Sequence, residues 1–201
     1  IEIIENPTLT AISGFAKLTK IGASISPFVS GLTTSIIIFN NPELKTIAGF
    51  GALETVGGNF YIFINPILAS IPEFTALETV GGDFSIFSNA KLESITGFGV
   101  LEIVGGFFDI DSNDKLASIN GFGVLETVDA SFQISRNAKL ASFIGFVALK
   151  TVGGNFNISG NPDLASIPEF TALETVDGDF NIDNNAKLES IPGFGALETV
   201  D

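Results

Sequence analysis

The chain has 201 residues, of which 45% are hydrophobic, and this excludes a disordered tail and allows one folded domain. The absence of Cys and His excludes disulfides, thiolate metal sites and the commonest catalytic groups, so we expect neither an enzyme nor a cofactor. The net charge of −14 disfavours nucleic acid as a partner. No run of 18 apolar residues is present, so we expect no membrane insertion.

A repeat of 24 residues runs along the chain, and an invariant Asn opens each copy. With this Asn as position 1, the unit reads N-x-x-L-x-x-I-x-x-F-x-x-L-x-x-V-x-x-x-F-x-I-x-x. The first copy is longer than the others, because it carries an insertion at about residues 23–35. Coils are predicted to start at Asn6, Asn41, Asn65, Asn89, Asn113, Asn137, Asn161 and Asn185.

The spacing within the unit favours β-structure over helix. Its apolar steps of three never alternate with steps of four, so a helical stripe would rotate away from its own face. The Phe-x-Ile piece alternates with period two, as a half-buried strand does, and Gly, Pro and Asn recur at fixed corners. We predict a mainly β fold, a single β-solenoid of about eight and a half coils that occupies residues 1–201.

The invariant Asn is predicted to be structural. An inward-pointing Asn at a corner can donate its amide to a carbonyl and accept from a backbone N–H of the next coil. One such residue in every coil would form a hydrogen-bonded ladder along the stack. The predicted ladder comprises Asn41, Asn65, Asn89, Asn113, Asn137, Asn161 and Asn185.

The segment LETVGGNFYIFINPILASI, from Leu53 to Ile71, resembles the leucine-rich-repeat pattern, most closely that of receptor L-domains and their tandem relatives. The chain departs from that pattern by placing Phe at positions 10 and 20, where the family prefers Leu. The resemblance implies a right-handed coil, an extracellular or cell-surface setting, and adhesion or recognition rather than catalysis. The family's ligands cannot be transferred, because the matching residues are structural.

Outward side chains of the Phe-x-Ile strand, at positions 19, 21 and 23, are the candidates for partner binding. Solvent-facing aromatic residues are typical of binding surfaces. Phe63 and Phe87 share position 23 of successive coils and should stack. The alternative is that the insertion from Ala23 to Ser35 covers these rings. The predicted partner-binding residues are Tyr61, Phe63, Phe87 and Phe107.

The leading hypothesis is a non-catalytic extracellular adhesion or recognition module that binds a protein or carbohydrate partner at a cell surface. One alternative is a structural filament or spacer unit that self-associates end to end through open coil ends. A second is ice binding through the row of Thr residues at position 15. We expect the sequence to be a segment of a longer chain, and we predict no metal site.

Overall fold

The computed structural model describes residues 1–22, 34–72, 74–191 and 193–201. Within these ranges the chain forms short parallel strands that stack coil upon coil, which confirms the predicted β-solenoid. This part of the chain contains no helix, and therefore none of the length and apolarity needed to cross a membrane.

The Phe-x-Ile segments form one parallel sheet of eight strands, here called the long-strand sheet. Equivalent positions of successive coils pair in exact register, for example Phe84 with Phe108 and Ile86 with Ile110. Seven steps of the stack separate the first of these eight strands from the last, and residues 184–201 continue beyond the last strand, where the repeat predicted about eight and a half coils. The strands are β1 (Glu2–Ile4), β4 (Ile36–Phe39), β7 (Phe60–Phe63), β10 (Phe84–Phe87), β13 (Phe108–Asp111), β16 (Phe132–Ser135), β19 (Phe156–Ser159) and β21 (Phe180–Asp183).

Two further faces of each coil are built from shorter strands. Positions 15 and 16 form a second eight-stranded sheet, and position 6 opens the strands of the third face, which is split into groups of two and four. The second sheet comprises β3 (Lys20–Ile21), β6 (Thr55–Val56), β9 (Thr79–Val80), β12 (Ile103–Val104), β15 (Thr127–Val128), β18 (Thr151–Val152), β20 (Thr175–Val176) and β22 (Thr199–Val200). The third face comprises β2 (Ala11–Ile12), β5 (Thr46–Ile47), β8 (Ser70–Ile71), β11 (Ser94–Ile95), β14 (Ser118–Phe122) and β17 (Ser142–Gly145).

Two columns of phenylalanine fill the core. Rings at position 20 stack on each other along the axis, as between Phe84 and Phe108 at 5.2 Å, and so do rings at position 10, as between Phe98 and Phe122 at 5.4 Å. The two columns meet edge to face, with Phe108 and Phe122 at 5.0 Å and 88°. Both arrangements are favourable for aromatic pairs, so the rings add specific geometry to their burial.

The Asn ladder links successive coils through buried hydrogen bonds. The Oδ1 atom of Asn113 accepts from the backbone N–H of Asn89 at 3.0 Å. Its Nδ2 atom donates to the carbonyls of Ile86 at 2.9 Å and Asp111 at 3.0 Å. The N–H group that donates to this Oδ1 belongs to the preceding coil, whereas the sequence analysis predicted an N–H group of the next coil. The same pattern recurs at Asn41, Asn65, Asn89, Asn137 and Asn161. Asn185 accepts from the Asn161 N–H and donates to the Ile158 carbonyl.

The residue before each Asn, at position 24, turns the chain out of the long-strand sheet in a left-handed conformation. Its φ lies between 52° and 65° in every coil, although only one coil uses Gly there. Left-handed φ is costly for most L-residues and most strained for β-branched ones. The residues are Glu5, Asn40, Ile64, Ser88, Ser112, Arg136, Gly160 and Asn184.

Ile64→Asn is expected to stabilise the fold by about 1 kcal/mol, because Ile64 has φ 53° and Asn tolerates this region better. Little packing is lost, since Ile64 is 41% exposed. Urea unfolding of the variant and the parent chain measures the difference. Gly160→Ile is the reverse control and should destabilise the chain. A less stable Ile64→Asn variant would contradict the strain explanation.

Candidate functional site

An open groove of about 580 Å³ lies on the solvent face of the long-strand sheet. Outward side chains at positions 19, 21 and 23 line it, from β7 at one end to β21 at the other. Five strand spacings separate these two strands, so the groove extends about 24 Å along the solenoid axis. Its lining changes from aromatic to polar along that length.

All four residues predicted to bind a partner line the aromatic end of the groove: Tyr61, Phe63, Phe87 and Phe107. The predicted stacking of Phe63 on Phe87 is confirmed, with ring centroids 4.6 Å apart. Phe39 extends the stack at 4.4 Å from Phe63. Sequence reasoning did not identify Phe39, although it occupies position 23 of the preceding, lengthened coil.

The alternative of a loop that covers these rings lies mostly outside the described residues. The proposed cover is the insertion from Ala23 to Ser35, and residues 23–33 are not among those described. Within the described residues, Phe63 and Phe87 are partly accessible and Phe107 is 53% exposed.

Two neighbouring polar groups fix the orientation of the Tyr61 ring. The Tyr61 hydroxyl donates to Asp83 Oδ2 at 2.6 Å and accepts from Asn59 Nδ2 at 3.0 Å. Partial burial, followed by the hydrogen bond and charge of Asp83, raises the pKa of Tyr61 to about 12. The phenol therefore stays neutral at physiological pH and its ring is held at the edge of the groove.

A second ladder of side-chain hydrogen bonds runs along position 19, which sequence reasoning missed. In each case a side-chain oxygen accepts the backbone N–H of position 19 in the next coil, at 2.9–3.0 Å. Ser, Asn and Asp can all act as the acceptor, because each places a side-chain oxygen at the same position. The acceptors are Ser35, Asn59, Asp83, Ser131 and Asn155.

Phe107 interrupts this ladder. Its own N–H is bound by Asp83 Oδ1 at 3.0 Å, but its side chain has no oxygen to offer the N–H of Ser131. The coil therefore loses a hydrogen bond in order to place an exposed ring at the groove. The fold does not require an aromatic residue here, so Phe107 is available for contact with a ligand.

The centre and the polar end of the groove are lined at position 21 by Asp109, Gln133, Asn157 and Asn181. Asp109 accepts from Ser85 Oγ at 2.9 Å and from Gln133 Nε2 at 3.3 Å. Burial is the main cause that raises the pKa of Asp109 to about 6, against the opposing effect of the Ser85 hydrogen bond. A partly desolvated carboxylate is typical of functional sites.

Asp109→Asn is expected to stabilise the chain by about 2 kcal/mol at pH 8 and by much less at pH 4. Because burial raises the folded-state pKa from 3.8 to about 6, the folded chain binds more protons in that interval. Its stability therefore falls as the pH rises through the interval, and Asn removes this loss. Asn157 and Asn181 show that the position accepts Asn.

Urea unfolding at both pH values measures the Asp109→Asn effect. Asp177→Asn, which removes an exposed carboxylate, is the control for the change in net charge. An equal gain from Asp109→Asn at pH 4 and pH 8 would contradict the effect of burial.

The row of Thr residues at position 15 lies on the second sheet, away from the groove. Thr55 pairs with Thr79 and Thr127 with Thr151, but Ile103 stands between the two pairs and is 42% exposed. The row is thus one residue wide and interrupted by an apolar side chain. Nothing in this geometry favours ice binding over a solvated surface.

Comparison of the chain with protein-family models, curated proteins and solved structures gives no match. The resemblance to leucine-rich-repeat and receptor L-domain proteins therefore stays a prediction from the repeat sequence.

Proposed function

We propose that this chain is a non-catalytic recognition module, of the leucine-rich-repeat, L-domain-like kind, that binds a cell-surface partner in the groove of the long-strand sheet. The observation that carries the proposal is the cluster of accessible aromatic rings around an open groove. Binding energy in protein recognition is concentrated in aromatic residues, and groups of accessible apolar side chains commonly mark interaction sites.

Comparison of the coils with each other supports a binding role for these rings. Position 23 holds Phe39, Phe63 and Phe87 in three successive coils but a polar residue in the four that follow: Asp111, Ser135, Ser159 and Asp183. The later coils pair in the same sheet with the same register. Since coils with polar side chains at this position keep the same register, strand pairing does not require the aromatic residues, and this supports a role for them in binding.

The groove variant Phe63→Ser/Phe87→Ser/Phe107→Asn tests the proposal. Each substitution introduces a residue that the chain itself uses at the same position, as at Ser135 and Asn155, so the coil should stay folded. Beads coated with the chain are incubated with a panel of bacterial, fungal, plant and animal cells, and retained beads are counted. We expect retention on at least one cell type and an at least tenfold loss in the variant.

The matched control is Val100→Ala/Val124→Ala. These two exposed valines occupy position 12, where other coils have Ala76 and Ala172, and neither lines the groove. The control should retain beads as well as the parent chain does. Retention on no cell type would contradict a role in adhesion, and equal retention by the groove variant would exclude the groove as the site.

A further inference from the structure

We propose that the groove binds a linear, uncharged polysaccharide chain, which lies across the strands with its sugar rings against the aromatic end. This inference rests on the proposed recognition function and names the ligand class of the same site. It follows from the charge, the hydrogen-bonding groups and the shape of the groove.

The charge of the groove disfavours anionic ligands. Asp83 and Asp109 lie in its wall, and no Lys or Arg is among the described residues that line it. A phosphate, sulfate or uronate group would meet two carboxylates without a compensating cation. Nucleic acids and acidic glycans therefore do not match this surface, whereas a ligand without charge loses nothing to repulsion.

The polar lining matches hydroxyl groups. Gln133, Asn155, Asn157 and Asn181 carry amides, each of which donates and accepts hydrogen bonds, and the carboxylates of Asp83 and Asp109 accept them. A sugar hydroxyl likewise both donates and accepts. Part of this capacity is used within the protein, since Asp109 accepts from Ser85 and Gln133, and Asn155 accepts from the Asp179 N–H. A polyhydroxylated ligand can pair with the donors and acceptors that remain, which a purely apolar ligand would leave unsatisfied.

The aromatic end matches the other part of a sugar, the C–H face of its ring. Phe63 and Phe87 stack on each other at 4.6 Å, and Phe107 stands 53% exposed at position 19 of the next coil. Because the faces of Phe63 are covered by Phe39 and Phe87, this stack presents its ring edges as an apolar strip beside the exposed Phe107 ring. An apolar strip next to hydrogen-bonding groups suits a ligand that is apolar on its face and polar at its rim.

The shape of the groove favours a chain over a single sugar. It crosses six neighbouring strands, a length of about 24 Å, and is open to solvent along its length. An added peptide strand cannot pair with the floor, because each interior strand of the sheet is already bonded on both sides. A peptide would have to bind through side chains alone, and the two carboxylates would select a cationic one.

Affinity electrophoresis tests the ligand class. The folded chain is run through gels that contain neutral polysaccharides (β-glucan, xylan, mannan and galactomannan), anionic ones (dextran sulfate and polygalacturonate), or polylysine as a cationic peptide. We expect retardation by at least one neutral polysaccharide, unchanged when NaCl is raised, and at least tenfold weaker in Phe107→Asn. Val100→Ala/Val124→Ala should be retarded as the parent chain is.

Retardation only by anionic polymers or only by polylysine would overturn the proposal. So would retardation by neutral polysaccharide that Phe107→Asn leaves unchanged. If no neutral polysaccharide binds while groove-dependent bead retention persists, the sugar class is wrong and the recognition function stands. Loss of bead retention as well would remove the recognition function itself.

Discussion

Asn113→Ala is expected to lower the free energy of unfolding by about 4 kcal/mol, although it deletes only one small polar side chain. Asn113 is fully buried, and its side chain bonds the Asn89 N–H and the carbonyls of Ile86 and Asp111. Ala would leave these groups without that partner in a site too buried for bulk water. Each unsatisfied buried group costs about 1–3 kcal/mol, and a small cavity adds to the loss.

The central position of Asn113 in the stack increases the loss of stability. A solenoid is stabilised by contacts between neighbouring coils, so a weakened junction in the middle divides the array into two less stable halves. Hydrogen exchange should therefore become faster in the strands beside Asn113, β10 and β13, before those near the ends respond. Urea unfolding gives the overall loss, and exchange locates it.

Asn6→Ala is the matched control for the Asn113 variant. Asn6 is the exposed first member of the same ladder, and its Nδ2 bonds Ile4 O at 3.1 Å and Asn41 Oδ1 at 3.0 Å. Since water can replace these partners, the substitution should cost less than about 1 kcal/mol. Equal losses at positions 6 and 113 would show that burial of the ladder does not determine its contribution.

The repeat sequence was sufficient to predict the fold class, because nearly every inward position recurs with the same residue type. Phe at positions 10 and 20, Leu at position 4 and Asn at position 1 leave few ways to bury the apolar rows except by stacking coils. The outward direction of Tyr61, Phe63, Phe87 and Phe107 followed from the period-two alternation of the strand. Only the structure shows that these four residues line one groove, because the 24-residue period does not determine the shape of the sheet face.

Two regular features of the backbone could not be found from residue identity. Position 24 is left-handed in every coil, yet it holds residues as different as Ile64, Arg136 and Gly160, because the turn and not the side chain determines φ. The position 19 ladder is hidden for a similar reason, since Ser, Asn and Asp share only an oxygen at the required distance. The interruption by Phe107 becomes visible only once that ladder is known.

Phe122→Ala is expected to destabilise the chain by about 4 kcal/mol, because it removes a fully buried ring from the position 10 column where that column meets the position 20 column. The ring stacks on Phe98 at 5.4 Å and on Phe146 at 5.3 Å, and it meets Phe108 edge to face at 5.0 Å. The contacted rings belong to the two coils on either side of the coil that contains Phe122, so the cavity cannot collapse without moving their paired strands.

The same substitution at Phe107 is the control for Phe122, since it deletes the same side chain from an exposed position. Phe107→Ala should cost less than about 1 kcal/mol, because the ring is 53% exposed and its backbone N–H keeps its bond to Asp83. Phe122→Leu, which keeps a large apolar side chain at this position, should recover more than half of the loss. If Phe122→Ala were tolerated as well as Phe107→Ala, the phenylalanine columns would fill space without stabilising the stack, and this explanation of the fold would fail.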